Sequence, residues 1–424
     1  MIDMKIVREQ PGRVKKACAD KNAQVDIHRV LELDAARRTL QGQVDELNRL
    51  RKQAAAEKNI QEGKRLKEEA ATLQGNLEVV EQEFDELVSH IPNLPSDDTP
   101  VGKDETGNVV LRTWGEKPDF GFEPKDHMAI AAKLGIIDSE TAAKVSGARF
   151  TYLKGDAVLI QFALAQLAMH VLTSETTLAA IIQKAGLDVS PKPFTPVAPP
   201  LMIRPEVFHQ MARLEPKEER YHIASDDLYL IGSAEHTLGP LHMDETLASV
   251  SLPRRYVAFT PAFRREAGSY GRDTHGILRL HQFDKVEMES FALPENGLAE
   301  QEFFVAIQEH LMQMLHLPYQ VVMTCTGDQG DPDARHLDLE AWMPGQGMYR
   351  ETHSADYMTD YQARRLNTKV KRESGTEFIH MNDATVFAIG RTLVALLENY
   401  QQQDGSVRVP DALRPFVGKD YLGP

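Results

Sequence analysis

The N-terminal quarter of the chain carries apolar side chains at the spacing of a coiled coil. From residue 66 to residue 91, alternating steps of four and three residues separate Leu66, Ala70, Leu73, Leu77, Val80, Phe84, Leu87 and Ile91. A compatible spacing, interrupted by Arg37, precedes it at Val30, Leu33, Leu40, Val44, Leu47 and Ala54. Such a seam is typical of paired helices. We predict two antiparallel helices over residues 26–92, joined by a polar turn at residues 59–63.

This predicted hairpin is long and carries basic side chains near its tip. Helices of about 30 residues at ~1.5 Å per residue are roughly 45 Å long, so we expect the hairpin to project into solvent. Between residues 49 and 69 there are four acidic residues against seven basic ones, which are Arg49, Arg51, Lys52, Lys58, Lys64, Arg65 and Lys67. This excess of basic residues fits either an ordinary solvent-exposed helix face or a surface that binds the backbone of a nucleic acid.

The segment after the hairpin indicates a domain boundary. Pro92 and Pro95 end the helical pattern, and a turn-rich linker leads to a short predicted strand at residues 109–111. We therefore predict an N-terminal helical domain over residues 1–100 and a second domain over residues 101–424, which is long enough for a sizeable core.

Four later segments have patterns that predict regular structure. Residues 158–172 are apolar on nearly every side, which predicts a helix buried in the core or against a partner surface. Residues 228–235 read as a short strand that ends in a carboxylate. Residues 349–354 lead into residues 360–365 as a polar strand, and residues 387–400 read as a strand followed by a helix.

Residues 260–287 predict two paired strands joined by a glycine-bearing loop. Val257, Phe259 and Phe263 precede the loop, and Ile277 and Leu280 alternate with polar residues after it. Three glycines and four arginines lie in and around the loop: Gly268, Gly271, Gly276, Arg264, Arg265, Arg272 and Arg279. Planar guanidinium groups match phosphate and carboxylate oxygens, so the loop is a candidate anion site, with a solvated basic hairpin as the alternative.

Composition narrows the class of protein. The net charge of -15 argues against a protein that coats nucleic acid, although it allows a local basic patch. Cys18 and Cys325 are the two cysteines and have no metal-ligand spacing, so we expect a reducing, cytoplasmic setting without a disulfide framework. No apolar run reaches the length of a membrane span, and the start MIDMKIVREQ lacks a signal-peptide core, so we expect no membrane association.

Three runs carry a resemblance to a known family. FRREAG at residues 263–268, RLHQF at 279–283 and KVE at 285–287 resemble motif 2 of the bacterial type of seryl-tRNA synthetases, which are class II aminoacyl-tRNA synthetases. The helix at 158–172 with the stretch ending at Pro200 looks like motif 1, and residues 387–400 resemble motif 3. The junction IPNLPSDDTPVGKDETGN is similar to the family's as well, so the resemblance extends over effectively the whole chain.

The resemblance implies a fold, an activity and partners. The expected fold class is α+β, an antiparallel-sheet catalytic domain with helices, preceded by a long antiparallel coiled-coil arm. The implied activity is ATP-dependent ligation of L-serine to tRNA(Ser) through a seryl-adenylate, with tRNA(Sec) as a second candidate acceptor and Mg²⁺ on the ATP phosphates. The implied assembly is a homodimer in which the arm of one subunit reaches the tRNA on the other.

The resemblance also assigns roles to individual residues. Catalytic roles fall to Arg264, Arg391 and Glu351, and metal ligation to Glu351 and Ser354. The serine site comprises Ser233, Ala234, Glu235, Arg264, Glu287 and Thr385. The ATP site comprises Arg264, Arg265, Glu266, Leu280, Phe283, Glu351, Thr352, His353, Ser354 and Arg391. The seven basic residues of the hairpin form the tRNA-binding surface. We interpret His275, His281 and His353 as loop or core histidines rather than metal ligands, because none has a second ligand at suitable spacing.

Two positions depart from the family pattern. Ser233 replaces the usual threonine, which keeps the hydroxyl and loses a methyl group. In HMNDAT at residues 380–385, an ungapped count from Arg391 puts Asp383 where asparagine is usual, whereas one inserted residue would leave Asn382 in that role. Thr385 is the serine-contacting hydroxyl under either register.

Three alternative functions stay open at this point. An altered-specificity or non-catalytic paralogue that acts as a binding or regulatory protein would explain the changed motif 3. A carrier-protein aminoacyl ligase would keep the body and, by resemblance, lack the arm. A coiled-coil scaffold would explain the arm and nothing after residue 100.

Overall fold

The computed structural model describes residues 1–267 and 276–423. Gly268, Gly271, Arg272 and His275 of the candidate anion loop lie outside the described residues. The chain divides into two compact units, Met1–Pro95 with Gly330–Pro332 and Ser96–Gln329 with Asp333–Pro424.

The first unit is helical, with α1 at Met4–Glu9, α2 at Pro11–Asp20, α3 at Ile27–Ala56 and α4 at Ile60–Ser89. Asp26 caps α3 by accepting bonds from the backbone N–H groups of His28 and Arg29, and Asn59 caps α4 by accepting one from Glu62. The predicted helices are confirmed, but the predicted turn at 59–63 was misplaced. Because Asn59 is the cap that starts α4, the turn is residues 57–59 and Gly63 lies inside the helix.

The buried residues of the hairpin follow most of the predicted spacing, but Val88 is buried in place of the predicted Leu87. Its fully buried apolar residues are Val30, Leu33, Val44 and Ala54 on α3 and Leu66, Ala70, Leu77, Phe84 and Val88 on α4. The interruption at Arg37 is accommodated because its guanidinium stacks 4.6 Å from the ring centroid of Phe84 and pairs with Asp34 at 3.3 Å.

Within the described residues, the second unit is built on an eight-stranded sheet. Its strands are β1 Val109–Trp114, β2 Thr195–Pro196, β3 Arg254–Phe263, β4 Gln282–Ala292, β5 Tyr319–Met323, β6 Arg335–Met343, β7 Met348–Tyr357 and β8 His380–Ala388. The strand order is β1-β5-β6-β7-β8-β4-β3-β2, and every pair is antiparallel except β2 with β3. The predicted α+β fold with an antiparallel sheet is confirmed.

Helices cover this sheet and complete the second unit. They are α5 His127–Leu134, α6 Ser139–Ser146, α7 Asp156–Leu172, α8 Glu175–Ala185, α9 Pro205–Gln210, α10 Glu235–Leu238, α11 Gly297–Met314, α12 Tyr361–Leu366, α13 Ile389–Asn399 and α14 Arg414–Val417. Short strands pair outside the main sheet at Ile137–Asp138, Tyr152–Leu153, Met202–Ile203, His222–Ile223, Leu228–Leu230, Thr246–Ala248, Lys369–Arg372, Gly375–Phe378, Val407–Arg408 and Tyr421–Leu422.

The two faces of the sheet have opposite character because side chains alternate along each strand. Val286 and Met288 of β4 and Val386 of β8 are buried in the main hydrophobic core with α7, α11 and α13. The intervening positions of β4 carry Lys285 and Glu287, which face the other way. One face of the sheet therefore forms the core, and the other carries the polar residues of the candidate site.

Three sequence predictions for the second unit also differ from the structure. Ile277 and Leu280 were expected in a strand but precede β4, where both are buried. Residues 360–365 were expected to continue a polar strand, yet α12 forms there, because Gln362, Ala363 and Leu366 are buried together at helical spacing. The strand expected at residues 228–235 ends at Leu230, and Glu235 begins α10.

The apolar helix α7 is mainly a core helix of this chain. Most of its apolar residues are fully buried, whereas Leu159 and Phe162 are 40% and 49% exposed. Among the described residues no single helix is long and apolar enough to span a membrane, although α7 and α8 together, bent by 78°, pass the same criterion by length and composition alone.

Candidate active site

The paired strands β3 and β4 place Arg264 at the mouth of a cavity. Phe263 lies opposite Gln282 in the register, so Arg264 is the first residue beyond the paired segment. Its Nε donates to the carbonyl of Gly232 at 3.1 Å, and its guanidinium lies 5.4 Å from the ring centroid of Phe283. Arg264 and Phe283 therefore form adjacent parts of the cavity wall.

A bulge in β7 brings Glu351 and Ser354 to the same face. Residues three apart on a regular strand point to opposite faces. Here Glu340 of β6 lies opposite Glu351 and Leu339 lies opposite His353, so Thr352 is an extra residue in β7. Glu351 and Ser354 consequently both line the cavity, while His353 faces the core.

Arg391 reaches the same cavity from the first turn of α13. Its Nη1 lies 2.9 Å from a carboxylate oxygen of Glu351 and donates to the carbonyl of Glu351 at 3.0 Å, and its Nε donates to the carbonyl of Leu278 at 3.3 Å. Arg264 and Arg391, which are far apart in sequence, thus converge on one cavity above antiparallel sheet.

Most of the predicted ATP-site residues line this cavity, whose volume is about 100 Å³. They are Arg264, Glu266, Leu280, Phe283, Glu351, Thr352, Ser354 and Arg391, and Thr385 joins them from β8. We call this cavity the nucleotide end. Arg279, which lines it too, donates to the carboxylate of Glu266 at 2.6 Å.

Two of the predicted ATP-site side chains do not line the nucleotide end. Arg265 is exposed, and its guanidinium lies 5.8 Å from the ring of Tyr221. His353 is buried in the core, where its Nδ1 is 2.8 Å from the Thr352 hydroxyl and its ring packs on Phe387. Burial lowers the pKa of His353 to about 3, so this side chain is neutral.

An adjoining cavity of about 280 Å³ shares Arg264, Lys285, Glu351 and Ser354 with the nucleotide end. It is also lined by Arg213, Glu235, Thr324, Asp328, His336, Asp338 and Asp356. We call this cavity, with the buried residues beneath it, the amino-acid end. The predicted serine-site residues are distributed around it and along its junction with the nucleotide end.

Glu235 is held by two neighbours at the start of α10. Its Oε1 lies 3.3 Å from Nε of Arg213 and 3.3 Å from Nε2 of His236. The Nδ1 atom of His236 accepts a bond from the backbone N–H of Gly232, so the neutral ring carries its proton on Nε2, toward Glu235. Burial opposes ionisation of Glu235, but Arg213 and His236 hold its pKa well below the usual value. Glu235 is therefore a buried anion.

Glu287 lies at the centre of the polar face of β4. It is fully buried and pairs with Lys285 at 2.5 Å, while Lys285 also donates to the Ser233 hydroxyl at 3.2 Å. Burial raises the pKa of Glu287 to about 7, aided by the charge of Glu235 and opposed by Lys285. Ala234, between Ser233 and Glu235, is fully buried. Glu287 is thus close to the point of changing protonation state at neutral pH.

Thr385 and Asp383 share the polar face of β8. Thr385 lies opposite Glu287 in the register, and its hydroxyl is 3.1 Å from that of Ser354. Asp383 lies opposite Glu289, whereas Asn382 lies opposite Ser290 on the other face. Asp383 rather than Asn382 therefore shares the face of β8 that carries Thr385.

The structure adds charged residues that the sequence patterns did not indicate. Arg213, just after α9, contacts Glu235, and His336 of β6 pairs with Asp356 and, at 2.9 Å, with Asp338. Burial opposes the charge on His336, but Asp356 and Asp338 raise its pKa well above the usual value. Alternation along β6 and β7 could have placed His336, Asp338 and Asp356 on one face of the sheet, but no motif or spacing identified them as site residues.

The donor set at Glu351 and Ser354 fits a hard cation. Glu351 offers a carboxylate whose side chain is 48% exposed, and Ser354 offers a hydroxyl at the same cavity. Oxygen ligands of this kind suit Mg²⁺, which keeps several waters and takes phosphate oxygens as further ligands.

The seven basic residues near the tip of the helical hairpin are all exposed. Arg49 pairs with Glu46 at 2.7 Å, and Arg65 pairs with Glu62 and Glu69 at 2.7 and 3.0 Å along their own helices. Within the described part of the chain no salt bridge is formed by Arg51, Lys52, Lys58, Lys64 or Lys67. These five residues are accessible to an anionic partner.

Comparisons with known proteins agree along the whole chain. Residues 1–95 match the family model described as seryl-tRNA synthetase N-terminal domain, and residues 219–400 match that described as tRNA synthetase class II core domain (G, H, P, S and T). A serine--tRNA ligase of Thermodesulfovibrio yellowstonii is 38% identical over 441 residues, covering all of both chains.

Two solved structures are similar over the full length. Seryl-tRNA synthetase from Pyrococcus horikoshii, complexed with ATP, is 34% identical with a TM-score of 0.88 and complete coverage of both chains. Cytoplasmic serine-tRNA ligase from Naegleria fowleri, in complex with AMP, is 28% identical with a TM-score of 0.85, covering all of this chain and 99% of the other.

Proposed function

This chain belongs to the serine--tRNA ligase family, and we propose that it joins L-serine to tRNA(Ser) through a seryl-adenylate formed from ATP. The observation that carries the proposal is the convergence of Arg264 and Arg391 on one cavity. The adjoining cavity is lined by Glu235 and by Lys285, which pairs with the buried Glu287. The structurally similar family members that were solved with ATP and AMP support nucleotide binding at the nucleotide end.

The reaction needs positioning more than proton transfer. In the proposed first step, the serine carboxylate attacks the α-phosphorus of ATP and pyrophosphate leaves, so the nucleophile is already an anion. Arg264 lies between the two cavities, where its guanidinium would bind the α-phosphate and the carboxylate as negative charge shifts between them. Arg391 and Phe283 would hold the adenine between a cation and a ring, and Arg391 would also contact the outer phosphate. A magnesium ion held by Glu351 and Ser354 would neutralise phosphate charge.

Serine would be recognised at the buried end. Glu235 is anionic and would accept bonds from the α-ammonium group, while Glu287 and Thr385 would bond the side-chain hydroxyl. An amino acid without a hydroxyl would leave these buried groups without a partner, at a cost of about 1–3 kcal/mol per group. We assign catalysis to residues 101–424 and tRNA binding to residues 1–100, where the basic hairpin would contact the backbone of the tRNA by shape rather than by base sequence.

Amino-acid-dependent ATP–pyrophosphate exchange tests this proposal directly. Exchange should be strong with serine and at least tenfold weaker in kcat/KM with threonine, alanine and glycine, because only serine satisfies Glu287 and Thr385 without excess volume. Stronger exchange with another amino acid would indicate an altered-specificity paralogue. No exchange with any amino acid would favour a binding or regulatory protein.

The second half of the same experiment measures tRNA charging, with tRNA(Ser) and tRNA(Sec) transcripts. The double variant Lys52→Gln/Lys64→Gln should keep normal exchange and raise the KM for tRNA(Ser) by about tenfold, because it removes two accessible cations from the hairpin. The matched control Lys5→Gln/Lys15→Gln removes two exposed lysines of α1 and α2 and should charge tRNA normally. Equal charging by both variants would remove the hairpin surface from the proposal.

A further inference from the structure

Arg213 holds a central place in the amino-acid end. Its Nη2 atom lies 3.4 Å from the carboxylate of Asp333, 3.3 Å from that of Asp356 and 3.4 Å from that of Asp383, and its Nε lies 3.3 Å from Glu235. The side chain is 14% exposed, and the accessible part lines the cavity. One guanidinium group therefore serves four carboxylates at the wall of the substrate site.

The geometry of this cluster differs from that of a structural ion pair in the same protein. Arg255 and Glu300 are fully buried and form a two-pronged pair with distances of 2.6 and 2.8 Å. Such short parallel bonds satisfy one carboxylate with one guanidinium. Arg213 makes longer contacts, and a single nitrogen is shared among three acids. The arrangement is that of one cation shared among several acidic side chains rather than of a matched pair.

The sheet register shows where this cation lies relative to the expected serine side chain. Asp356 and Asp383 are direct neighbours on β7 and β8, and Ser354 and Thr385 lie two residues away on the same face. Two residues along a strand correspond to about 6.6 Å. Arg213 thus lies over the next row of the sheet beyond Thr385, in the direction in which a longer amino-acid side chain would extend.

The row beneath Arg213 carries more acid than the protein's own cations balance. Glu289, opposite Asp383, is fully buried, and neither of its carboxylate oxygens has a hydrogen-bond partner among the described residues. Burial, followed by the charges of Glu235 and Asp356, raises the pKa of Asp383 well above the usual value. The pKa values of Asp356 and of the neighbouring Glu235 lie below the usual range, so these two acids are anions that would attract a cationic group if the guanidinium were absent.

We propose that Arg213 determines the amino-acid specificity of this site: its guanidinium fills a cation site formed by Asp333, Asp356 and Asp383, holds Glu235 toward the cavity, and limits the pocket to side chains of about the size of serine. The inference deepens the proposed function and rests on it. Arg213 acts through Glu235 and through the space it fills, so it is a positioning residue. The class of substrate that it excludes is α-amino acids with a longer side chain, above all those that end in an ammonium group.

The variant Arg213→Ala removes the cation and leaves a space of its shape. Serine-dependent exchange should show a KM for serine at least tenfold higher with a smaller change in kcat, because Glu235 loses its partner while the nucleotide end is untouched. Exchange with 2,4-diaminobutyrate should be undetectable in the wild type and should appear in the variant, because the side-chain ammonium can take the vacated cation site. A merely structural role for Arg213 would not create a new substrate.

Chemical rescue separates the charge from the fold. Free guanidinium at about 20 mM, far below the molar range that unfolds proteins, should lower the serine KM of Arg213→Ala at least fivefold. Urea at the same concentration has nearly the same shape without the charge and should have no effect. Neither compound should change the serine KM of the wild type. The same holds for the control variant Arg112→Ala, which removes a half-exposed arginine that pairs with Glu309.

The inference would be overturned, and the proposed function left standing, if a folded Arg213→Ala protein had the same serine KM as the wild type. Rescue by urea as effective as rescue by guanidinium would have the same consequence. Absence of serine exchange in the wild type would overturn the proposed function and this inference with it. If Arg213→Ala does not fold, Arg213→Lys keeps one charge but cannot contact four carboxylates. Its serine KM should rise at least threefold with nearly normal kcat, and an unchanged KM would contradict the role of Arg213.

Discussion

The nucleotide end and the amino-acid end use charge in opposite ways. At the nucleotide end, Arg391 and Glu351 form a pair whose carboxylate is half exposed, and Arg264 has its Nε bonded to a carbonyl oxygen. At the amino-acid end, Glu287 and Glu289 are fully buried, and their carboxylate groups depend on few donors. An accessible pair can exchange its partner for a ligand at small cost, whereas a buried acid is sensitive to each neighbour.

This difference predicts how each end responds to substitution. Loss of a cation at the nucleotide end removes stabilisation of the reacting phosphate and leaves the fold intact. Loss of a group at the amino-acid end changes the balance of a buried network, so substrate recognition, protonation and stability change together. Three experiments test this contrast.

The largest effect is expected for Arg264→Ala. Removing one preorganised donor from the site of charge development typically lowers the rate by about 100- to 1000-fold, and we expect a loss of serine-dependent exchange in that range. The unfolding temperature should stay close to that of the wild type, because the side chain is only half buried. Arg112→Ala is the control and should exchange normally. Exchange within tenfold of the wild type in Arg264→Ala would remove this residue from the reacting centre.

A matched pair of buried acids gives the second test. Glu287 and Glu289 are two residues apart on the same face of β4 and equally buried. Glu287→Gln should lower kcat/KM for serine by about 10- to 100-fold, because a charged acceptor for the hydroxyl is lost. Glu289→Gln should change it less than threefold, because burial, together with the charges of Glu235 and Glu287, raises the pKa of Glu289 well above the usual value and favours the neutral form, which glutamine resembles. Equal losses in the two variants would contradict the assignment of Glu287.

The nucleotide end could largely be predicted from the sequence, because its residues lie in compact motifs. Arg264 and Phe283 flank one loop, and Arg391 lies in the first turn of a helix whose start is visible in the apolar pattern. The spacing of Glu351 and Ser354 carried almost no information by itself. Two side chains three residues apart on a regular strand point to opposite faces of the sheet. Only the bulge at Thr352 brings Glu351 and Ser354 to one cavity.

The amino-acid end could be predicted only in part, because its charges come from separate strands. Asp383, Asp356 and His336 lie on three adjacent strands, β8, β7 and β6, and the register places them side by side. Alternation along one strand assigns a face, but it does not reveal which strands are neighbours. Arg213 lies outside the main sheet in a segment without a periodic signal, so its contact with Glu235 became visible only in the fold.

The smallest effect is expected in the pH dependence of stability, and it distinguishes the two ends most finely. Burial, with the charge of Glu235, raises the pKa of Glu287 from 4.5 to about 7. A raised pKa means that the stability associated with the protonated carboxyl group is fully present below pH 4.5 and is lost as the pH rises through 7. Glu287→Gln has no such group, so its unfolding temperature relative to the wild type should increase by about 2–4 °C between pH 5 and pH 8.

At the nucleotide end, Glu351 is accessible and paired, so Glu351→Gln should show no increase of this kind over the same range. Thermal unfolding monitored by circular dichroism at both pH values provides the measurement. If Glu287→Gln and Glu351→Gln show parallel pH profiles, burial is not what separates the chemistry of the two ends.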